Sequence, residues 1–203
     1  MSLNALLDAS RPSLFLALGS IAFNPTAWNV VARNEYRNRT ITRLFGGNRR
    51  LGCYFLAVCI FSAGLLRDTL FKNAILEQPR VRLLPAPLDS LVPIALFGFG
   101  QTLVVTSTWA LGVTGTFLGD YFGILMDHRV EGFPFNVLRD PMYVGSTMCF
   151  AGASLWYERP VGLLITLYVY IVYTIALKFE GPFTDMIYSA RSTPAKEAIK
   201  KEL

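Results

Sequence analysis

Five stretches without a charged residue alternate along the chain with short polar segments. A helix needs roughly 20 apolar residues to cross a bilayer, and roughly 17 at the short end of the range. One stretch is comfortably long and the others lie near this threshold. The pattern therefore predicts an all-α polytopic membrane protein with about five membrane-embedded helices. The stretches are Pro12–Ala32, Leu51–Leu66, Ser90–Gly119, Pro141–Tyr157 and Pro160–Leu177.

Two of these stretches carry signals that interrupt a helix. Asn24-Pro25 removes a backbone donor from the first and would kink a helix there, so this stretch either crosses fully or lies partly embedded as a bent helix. The third has thirty residues, which correspond to roughly 45 Å of helix against a hydrocarbon core of roughly 30 Å. We therefore expect its helix to stop near Gly112 or Gly115. The second stretch is followed by Arg67-Asp68, which we expect at the membrane interface.

The last two stretches are separated only by Glu158-Arg159. So short a join predicts a helical hairpin, which places Asp140 and Lys178 on the same side of the membrane. Glu180-Gly181-Pro182 is expected to end the last helix. We treat residues 1–203 as a single domain. Within it we distinguish a first embedded helix (1–32), the segment that joins the third and fourth stretches (112–145) and a cytosolic tail (178–203).

Composition and charge agree with a membrane protein. The chain is 53% hydrophobic with a mean hydropathy of +0.41, too apolar for an ordinary soluble domain. Six Arg and one Glu fall in Arg33–Arg50, which suits a cytosolic loop under the positive-inside rule and not a nucleic-acid surface. Arg33 and Arg37 could in addition hold lipid phosphates. The three Cys lie in apolar stretches and the chain has one His, so neither a disulfide nor a metal site is expected.

The end of the chain indicates orientation. Lys200 and Lys201 resemble the dilysine retrieval signal of endoplasmic-reticulum membrane proteins, which is read from the cytosol. With a cytosolic C-terminus, the hairpin puts Gly115–Asp140 on the cytosolic face. Five crossings place Arg33–Arg50 there as well. Four crossings would instead put Gly115–Asp140 in the lumen, and we favour five.

The segment Gly112–Gly145 joins two apolar stretches, yet it is crowded with glycine, aromatic, acidic and basic residues. A simple connector has no physical need for this mixture. A pocket at a membrane surface does need it, because such a pocket holds a polar group beside an apolar one. We interpret this segment as the active-site segment.

Four segments carry a resemblance to a known family. They read FNPTAWNVVAR, GTFLGDYFGIL, FPFNVLRDPMYVGST and FEGPFTDMIY, in this order from Phe23 to Tyr188, and they resemble the phospholipid N-methyltransferases. Arg139-Asp140-Pro141 with Tyr143 and Gly145 is also similar to the Arg-His-Pro-x-Tyr-x-Gly signature of isoprenylcysteine carboxyl methyltransferases. The resemblance implies a membrane enzyme without a Rossmann domain that uses S-adenosylmethionine to methylate phosphatidylethanolamine and its mono- and dimethyl derivatives to phosphatidylcholine.

The resemblance also implies roles for individual residues. For the cofactor it indicates a Gly-x-Gly element, matched by Gly98-Phe99-Gly100. It also indicates an acidic pair after the last span, matched by Glu180 but not by Gly181. Glycines two apart in an apolar helix serve close helix packing as an alternative. The implied cofactor-binding residues are Gly98, Phe99, Gly100, Glu180, Gly181, Arg139, Tyr143 and Gly145. The implied substrate-binding residues are Arg33, Arg37 and Asn136.

Methyl transfer to an amine requires a neutral amine, and thus a nearby base or a site that lowers the amine pKa. Asp120 stands where the third stretch leaves the apolar core, a costly place for a carboxylate. We expect Asp120 to orient or deprotonate the lipid amine, with helix capping as the alternative. Tyr121 and Tyr143 could face the cationic groups or belong to an interfacial aromatic belt.

Three further charged residues have other interpretations. Arg139 could bind the cofactor carboxylate or a lipid phosphate. Asp140 is expected to cap the helix that begins at Pro141, and His128 is expected to be solvated. Two rival functions remain: carboxyl methylation of a prenylated cysteine, disfavoured because Asp140 replaces the signature His, and a non-enzymatic membrane adaptor.

Overall fold

A computed structural model describes residues 6–127 and 130–202, with the backbone alone from residue 191 onward. Within these ranges the chain is helical and has no strand. The α-helices are α1 (Pro12–Asn38), α2 (Thr40–Leu44), α3 (Arg49–Leu76), α4 (Leu88–Thr116), α5 (Pro141–Trp156) and α6 (Pro160–Glu202), and a 3₁₀ turn covers Gly119–Phe122. The prediction of an all-α protein is confirmed.

Four of the described segments are long and apolar enough to cross a membrane. They are α1, α3, Leu88–Phe122 and residues Pro160–Ala190 of α6. Helix α5 has 16 residues and is about 24 Å long, shorter than a hydrocarbon core of roughly 30 Å. A multi-pass membrane protein is thus confirmed with four spans, and α5 as a fifth embedded helix stays a prediction.

Helices α1, α3, α4, α5 and α6 run between the same two faces of the molecule. On one face, the backbone N–H of Asp8 donates to Oε1 of Gln78 at 2.9 Å, and Nε of Arg80 donates to Oε2 of Glu158 at 2.6 Å. These bonds join the chain before α1 to the α3–α4 and α5–α6 connections. The opposite face, called the site face below, therefore carries the α1–α3 connection, residues 117–127 and 130–140, and the far end of α6.

Helices α5 and α6 form the predicted hairpin. Near the turn, Gly162 packs directly against Ser154, and at the open end the hydroxyl of Tyr143 donates to Glu180 at 2.7 Å. The core of the protein lies where this hairpin meets α1 and α3, and its members are almost fully buried. They include Ile21, Phe71, Ile75, Phe150, Val161 and Val169.

Helix α4 is interrupted where the sequence predicted. Gly112 has φ 65° and ψ 178°, a conformation that side chains other than glycine rarely adopt. The backbone changes direction there before a last helical segment that ends at Thr116. Leu118 then takes a left-handed φ of 60° and leads into the 3₁₀ turn. This double change of direction brings residues 119–122 back against α1 and α6.

The expected end of α6 at Glu180-Gly181-Pro182 is wrong, since α6 continues through these residues. Pro182 leaves the carbonyl of Lys178 without its helical donor. A membrane helix tolerates such a proline where neighbouring helices support the backbone. Here Nη2 of Arg33 donates to the adjacent carbonyl of Phe179 at 2.7 Å. The tail assigned to 178–203 thus begins inside α6.

The first helix also differs from expectation at its end. Helix α1 passes through Pro25 and continues beyond Ala32 to Asn38. The amide of Asn29 donates to the carbonyl of Pro25 at 2.9 Å within this turn. The first embedded helix is therefore long enough to cross, and its charged last turns extend onto the site face. Lys200, Lys201 and His128 have side chains outside the described part of the chain.

Candidate active site

A cavity of about 1880 Å³ lies among α1, α3, α4, α5 and α6. A cavity for one small molecule occupies roughly 300–1,000 Å³, so this one has room for more than one ligand. Five of the residues predicted from the sequence line it: Gly98, Arg139, Tyr143, Glu180 and Gly181. Residues from segments far apart in sequence are thereby brought together at one cavity.

Glu180 and Tyr143 form the polar end of this cavity. The Tyr143 hydroxyl donates to Oε2 of Glu180 at 2.7 Å. The Tyr143 ring meets the ring of Tyr173 edge-on, with 4.9 Å between centroids. This contact fixes the ring of Tyr143, and the hydrogen bond fixes one oxygen of Glu180. The second carboxylate oxygen remains as an acceptor for a ligand.

Asp120 lies next to this end of the cavity. The hydroxyl of Thr184, which lines the cavity one helical turn after Glu180, donates to Oδ2 of Asp120 at 3.3 Å. The carboxyl groups of Asp120 and Glu180 are close enough to interact electrostatically. Gly119 permits this approach, because a Cβ there would lie 2.6 Å from the carbonyl oxygen of Thr114. Asp120 lies in the first turn of the 3₁₀ helix, whose N-cap is Leu118, so Asp120 does not occupy the N-cap position.

Tyr121 is 2% exposed, and its ring stacks on that of Phe183 with 5.1 Å between centroids. Cζ of the Arg33 guanidinium lies 4.7 Å from the centroid of the Phe183 ring. The hydroxyl of Tyr121 and Nε of Arg33 are both buried, and neither has a hydrogen-bond partner among the described residues. Buried polar groups without partners are rare. The two atoms flank the place where α1, the 3₁₀ turn and α6 meet.

The three residues of the Gly-x-Gly element have different surroundings. Gly98 lines the cavity, and a Cβ there would meet nothing within 4 Å. Gly100 packs instead against Gly145 of α5, where a Cβ on either residue would lie 2.5 Å from the other's carbonyl oxygen. Phe99 is 67% exposed and is not part of the cavity wall. The structure thus places Gly100 and Gly145 in a helix contact and Gly98 at the cavity.

The remaining predicted residues lie at or beyond the rim. The side chain of Arg139 is 81% exposed, with Nε 4.0 Å from Oδ2 of Asp140. Arg37 and Asn136 are exposed on the site face and do not line the cavity. Asp140 occupies the N-cap position of α5, but its side chain makes no capping hydrogen bond. The expectation that the Asp140 side chain caps α5 is therefore wrong.

Sequence reasoning missed two polar residues of the cavity, Thr184 and Tyr173, and also Phe183, whose ring stacks on that of Tyr121 behind the cavity wall. Thr184 follows Glu180 by four residues, a spacing that puts both on one face of a helix. The assumed helix break at Pro182 concealed this signal. Among the described residues, no group of three His, Cys, Asp or Glu side chains could hold a metal ion.

Comparison with known proteins identifies the family. Residues 88–191 match the model of the phospholipid methyltransferase family. The chain is 54% identical over 200 residues to a phosphatidyl-N-methylethanolamine N-methyltransferase of Neurospora crassa, covering 97% of this chain and 94% of that protein. The chain belongs to the phospholipid methyltransferase family. The prediction of a membrane-embedded phospholipid N-methyltransferase is confirmed.

Other members of the phospholipid methyltransferase family match over similar lengths. An enzyme of the same name from Saccharomyces cerevisiae is 48% identical over 190 residues, covering 94% of this chain and 92% of that one. The human phosphatidylethanolamine N-methyltransferase is 46% identical over 187 residues, covering 92% and 94%. No solved structure matches the chain. Family membership implies a methyl donor.

Proposed function

We propose that the protein transfers methyl groups from S-adenosylmethionine to the amine of phosphatidylethanolamine derivatives to give phosphatidylcholine. The acceptors are the mono- and dimethyl forms, with the unmethylated lipid as a third candidate. The names of its relatives support the acceptor class. The observation that carries the proposal is the Tyr143–Glu180 pair at one end of a cavity within apolar helices, with Asp120 directly behind the wall and bound by Thr184, which lines the cavity. A lipid amine and a water-borne donor could meet there.

The residues at this end suit S-adenosylmethionine. Glu180 offers one carboxylate oxygen to ribose hydroxyls or an amino group, and Gly98 and Gly181 leave the wall open beside it. Arg139 at the rim could bind the carboxylate of the cofactor. Gly100 and Gly145 support the same site through the close contact of α4 with α5. When bound, the cofactor supplies an electrophilic methyl group.

The chain's own task is to prepare the amine. Asp120 accepts a proton from the lipid ammonium, which frees the nitrogen lone pair for attack. The Thr184 hydroxyl donates to Oδ2 and so orients the carboxyl group. Tyr121, whose hydroxyl is buried without a partner, holds the methylated ammonium through its hydroxyl oxygen. Exclusion of bulk water at this depth strengthens both interactions.

Lipid binding outside the cavity involves the arginine-rich connection. Arg37 and Asn136 are exposed on the site face and can contact the phosphates of membrane lipids. Arg33 ties α1 to α6 by donating from Nη2 to the carbonyl of Phe179, and this contact anchors the arginine-rich connection to the rest of the site face. Guanidinium groups suit phosphate because they offer paired donors.

We place the enzyme in the endoplasmic-reticulum membrane with a cytosolic C-terminus. Lys200 and Lys201, which resemble a dilysine retrieval signal, support the endoplasmic-reticulum location. The arginine-rich connection on the site face supports a cytosolic active site. The segment 112–145 then faces the compartment that supplies the soluble donor.

The test is product analysis. Membranes that carry the protein are incubated with methyl-labelled S-adenosylmethionine and, separately, with each of the three lipid acceptors. We expect label in phosphatidylcholine and its precursors. Label in a prenylated-cysteine ester instead would establish the carboxyl methyltransferase alternative, and no transfer at all would favour an adaptor.

A further inference from the structure

Arg67 is a charged residue inside a membrane helix and not at its end. Helix α3 continues to Leu76, about two and a half turns beyond Arg67. The guanidinium instead points to the hairpin: Nη1 donates to the Tyr173 hydroxyl at 2.6 Å, and Cζ lies 5.2 Å from the ring centroid of Phe150. A charge within a membrane span is costly and marks a functional site.

The guanidinium retains donors for a ligand. Its Nε and Nη2 donate to Oδ1 of Asp68 at 3.0 and 2.8 Å, and Nη1 donates to Tyr173. An arginine has five N–H groups, so one on each terminal nitrogen is left by these bonds within the described residues. The Arg67 side chain is 16% exposed and Asp68 is 55% exposed. Both residues line the cavity.

Arg67 and the proposed reaction centre share one wall of the cavity. The Tyr173 ring contacts that of Tyr143, which binds Glu180. Tyr173 and Glu180 are seven residues apart on α6 and thus about 10 Å apart along its axis. In an ethanolamine phospholipid, only an ester oxygen and two carbons separate phosphorus from nitrogen. A headgroup held at Arg67 therefore covers part of this distance and points its amine toward Glu180.

The cavity opens to the bilayer beside Arg67. Phe61 and Leu65 of α3 are 60% and 54% exposed, and Ile94 and Phe97 of α4 are 58% and 47% exposed. All four line the cavity. Exposed apolar side chains on membrane helices face lipid, so a lipid can enter between α3 and α4. An oxyanion that arrives by this route is the phosphodiester of a lipid, whereas a soluble donor arrives from the site face.

We propose that Arg67, together with the Tyr173 hydroxyl, binds the phosphodiester of the acceptor lipid and so positions its amine at the Asp120–Glu180 end. This inference rests on the proposed function and adds the group that selects a phosphate-bearing acceptor. Asp68 holds the guanidinium through Nε and Nη2, which leaves the Nη1 edge toward the cavity. Lys72 lines the cavity beside Tyr157, five residues after Arg67 on α3 and thus on the side of Arg67 away from Glu180.

The experiment compares two acceptors in mixed detergent micelles. One is phosphatidyl-N-methylethanolamine, and the other is a diacylglycerol ether of N-methylethanolamine, which lacks the phosphate. For Arg67→Gln we expect the KM of the phospholipid to rise about tenfold or more, the size of a lost charge-assisted hydrogen bond. The KM of S-adenosylmethionine and that of the phosphate-free acceptor should stay unchanged. Tyr173→Phe should move the phospholipid KM in the same direction by less.

Lys72→Gln is the matched control, and it should leave all three KM values unchanged. The proposal is overturned if Arg67→Gln raises the KM of the methyl donor instead, if it affects both acceptors equally, or if Lys72→Gln has the same effect. Should Arg67→Gln fail to fold, Tyr173→Phe replaces it in the same comparison. Its KM should rise for the phospholipid and stay unchanged for the phosphate-free acceptor. Failure of the proposed function is distinct, because the unaltered enzyme would then label neither acceptor.

Discussion

Tyr143 of α5 and Glu180 of α6 meet at the open end of the hairpin, where the tyrosine hydroxyl donates to Oε2 at 2.7 Å. The bond both closes the hairpin and orients the carboxylate at the cavity. Tyr143→Phe removes the donor and keeps the ring contact with Tyr173. A hydrogen bond to a charged group contributes about 1.5–3 kcal/mol, so we expect the KM of S-adenosylmethionine to rise about tenfold.

The measurement is a titration of initial rate against cofactor at saturating lipid. Tyr170→Phe is the control, because Tyr170 lies on α6, the helix that carries Glu180, but is 56% exposed and does not line the cavity. An unchanged cofactor KM in Tyr143→Phe would mean that the orientation of Glu180 does not matter for cofactor binding.

Asp120→Asn tests the proposed base. Asparagine keeps the shape of the side chain and can still accept from the Thr184 hydroxyl, but it cannot take a proton from an ammonium group. General-base catalysis contributes about 10²–10⁴-fold, so we expect kcat to fall about 100-fold while cofactor binding, measured calorimetrically, survives.

Glu131→Gln provides the comparison, since Glu131 is an exposed carboxylate that does not line the cavity. It should retain normal turnover. Full activity of Asp120→Asn would remove Asp120 from the mechanism.

The glycines of α4 and α5 should separate stability from function. Gly145→Ala puts a Cβ 2.5 Å from the carbonyl oxygen of Gly100, and overpacking of this kind costs about 1–3 kcal/mol. We expect a lower Tm in detergent. Gly98→Ala meets open space, so its Tm should be maintained while the added methyl group narrows the cavity and raises the cofactor KM. Equal losses of Tm in both variants would contradict this assignment.

Much of the architecture could be predicted because it depends on local composition. Spans follow from the apolar stretches, the hairpin from the short Glu158-Arg159 join, and the change of direction in α4 from Gly112. Each of these features depends on residues that are neighbours in sequence. The sequence likewise identified the residues of the polar cavity end, because charged groups are rare in such a chain.

Long-range contacts could not be predicted in this way. Helix α6 passes through Pro182 with support from Arg33, which is 146 residues from Phe179 in sequence. Proline alone signals a break, and only the neighbouring helix reverses that expectation. The position of Arg67 has the same origin: the side chain of Tyr173, 106 residues away, draws it into the protein. Pairings of this kind depend on which helices become neighbours.

The two faces of the molecule give the final prediction. Residues 77–87 and the α5–α6 turn share one face, joined by the ion pair of Arg80 and Glu158, and the arginine-rich connection lies on the other. With a cytosolic site face, an N-glycosylation acceptor inserted at exposed Leu83, flanked by flexible spacers, should be modified in microsomes. The same acceptor inserted between Arg37 and Arg43 should stay unmodified, since glycosylation occurs only in the lumen. The opposite result would place Asp120 and Glu180 in the lumen, away from the soluble methyl donor, and would refute the orientation we propose.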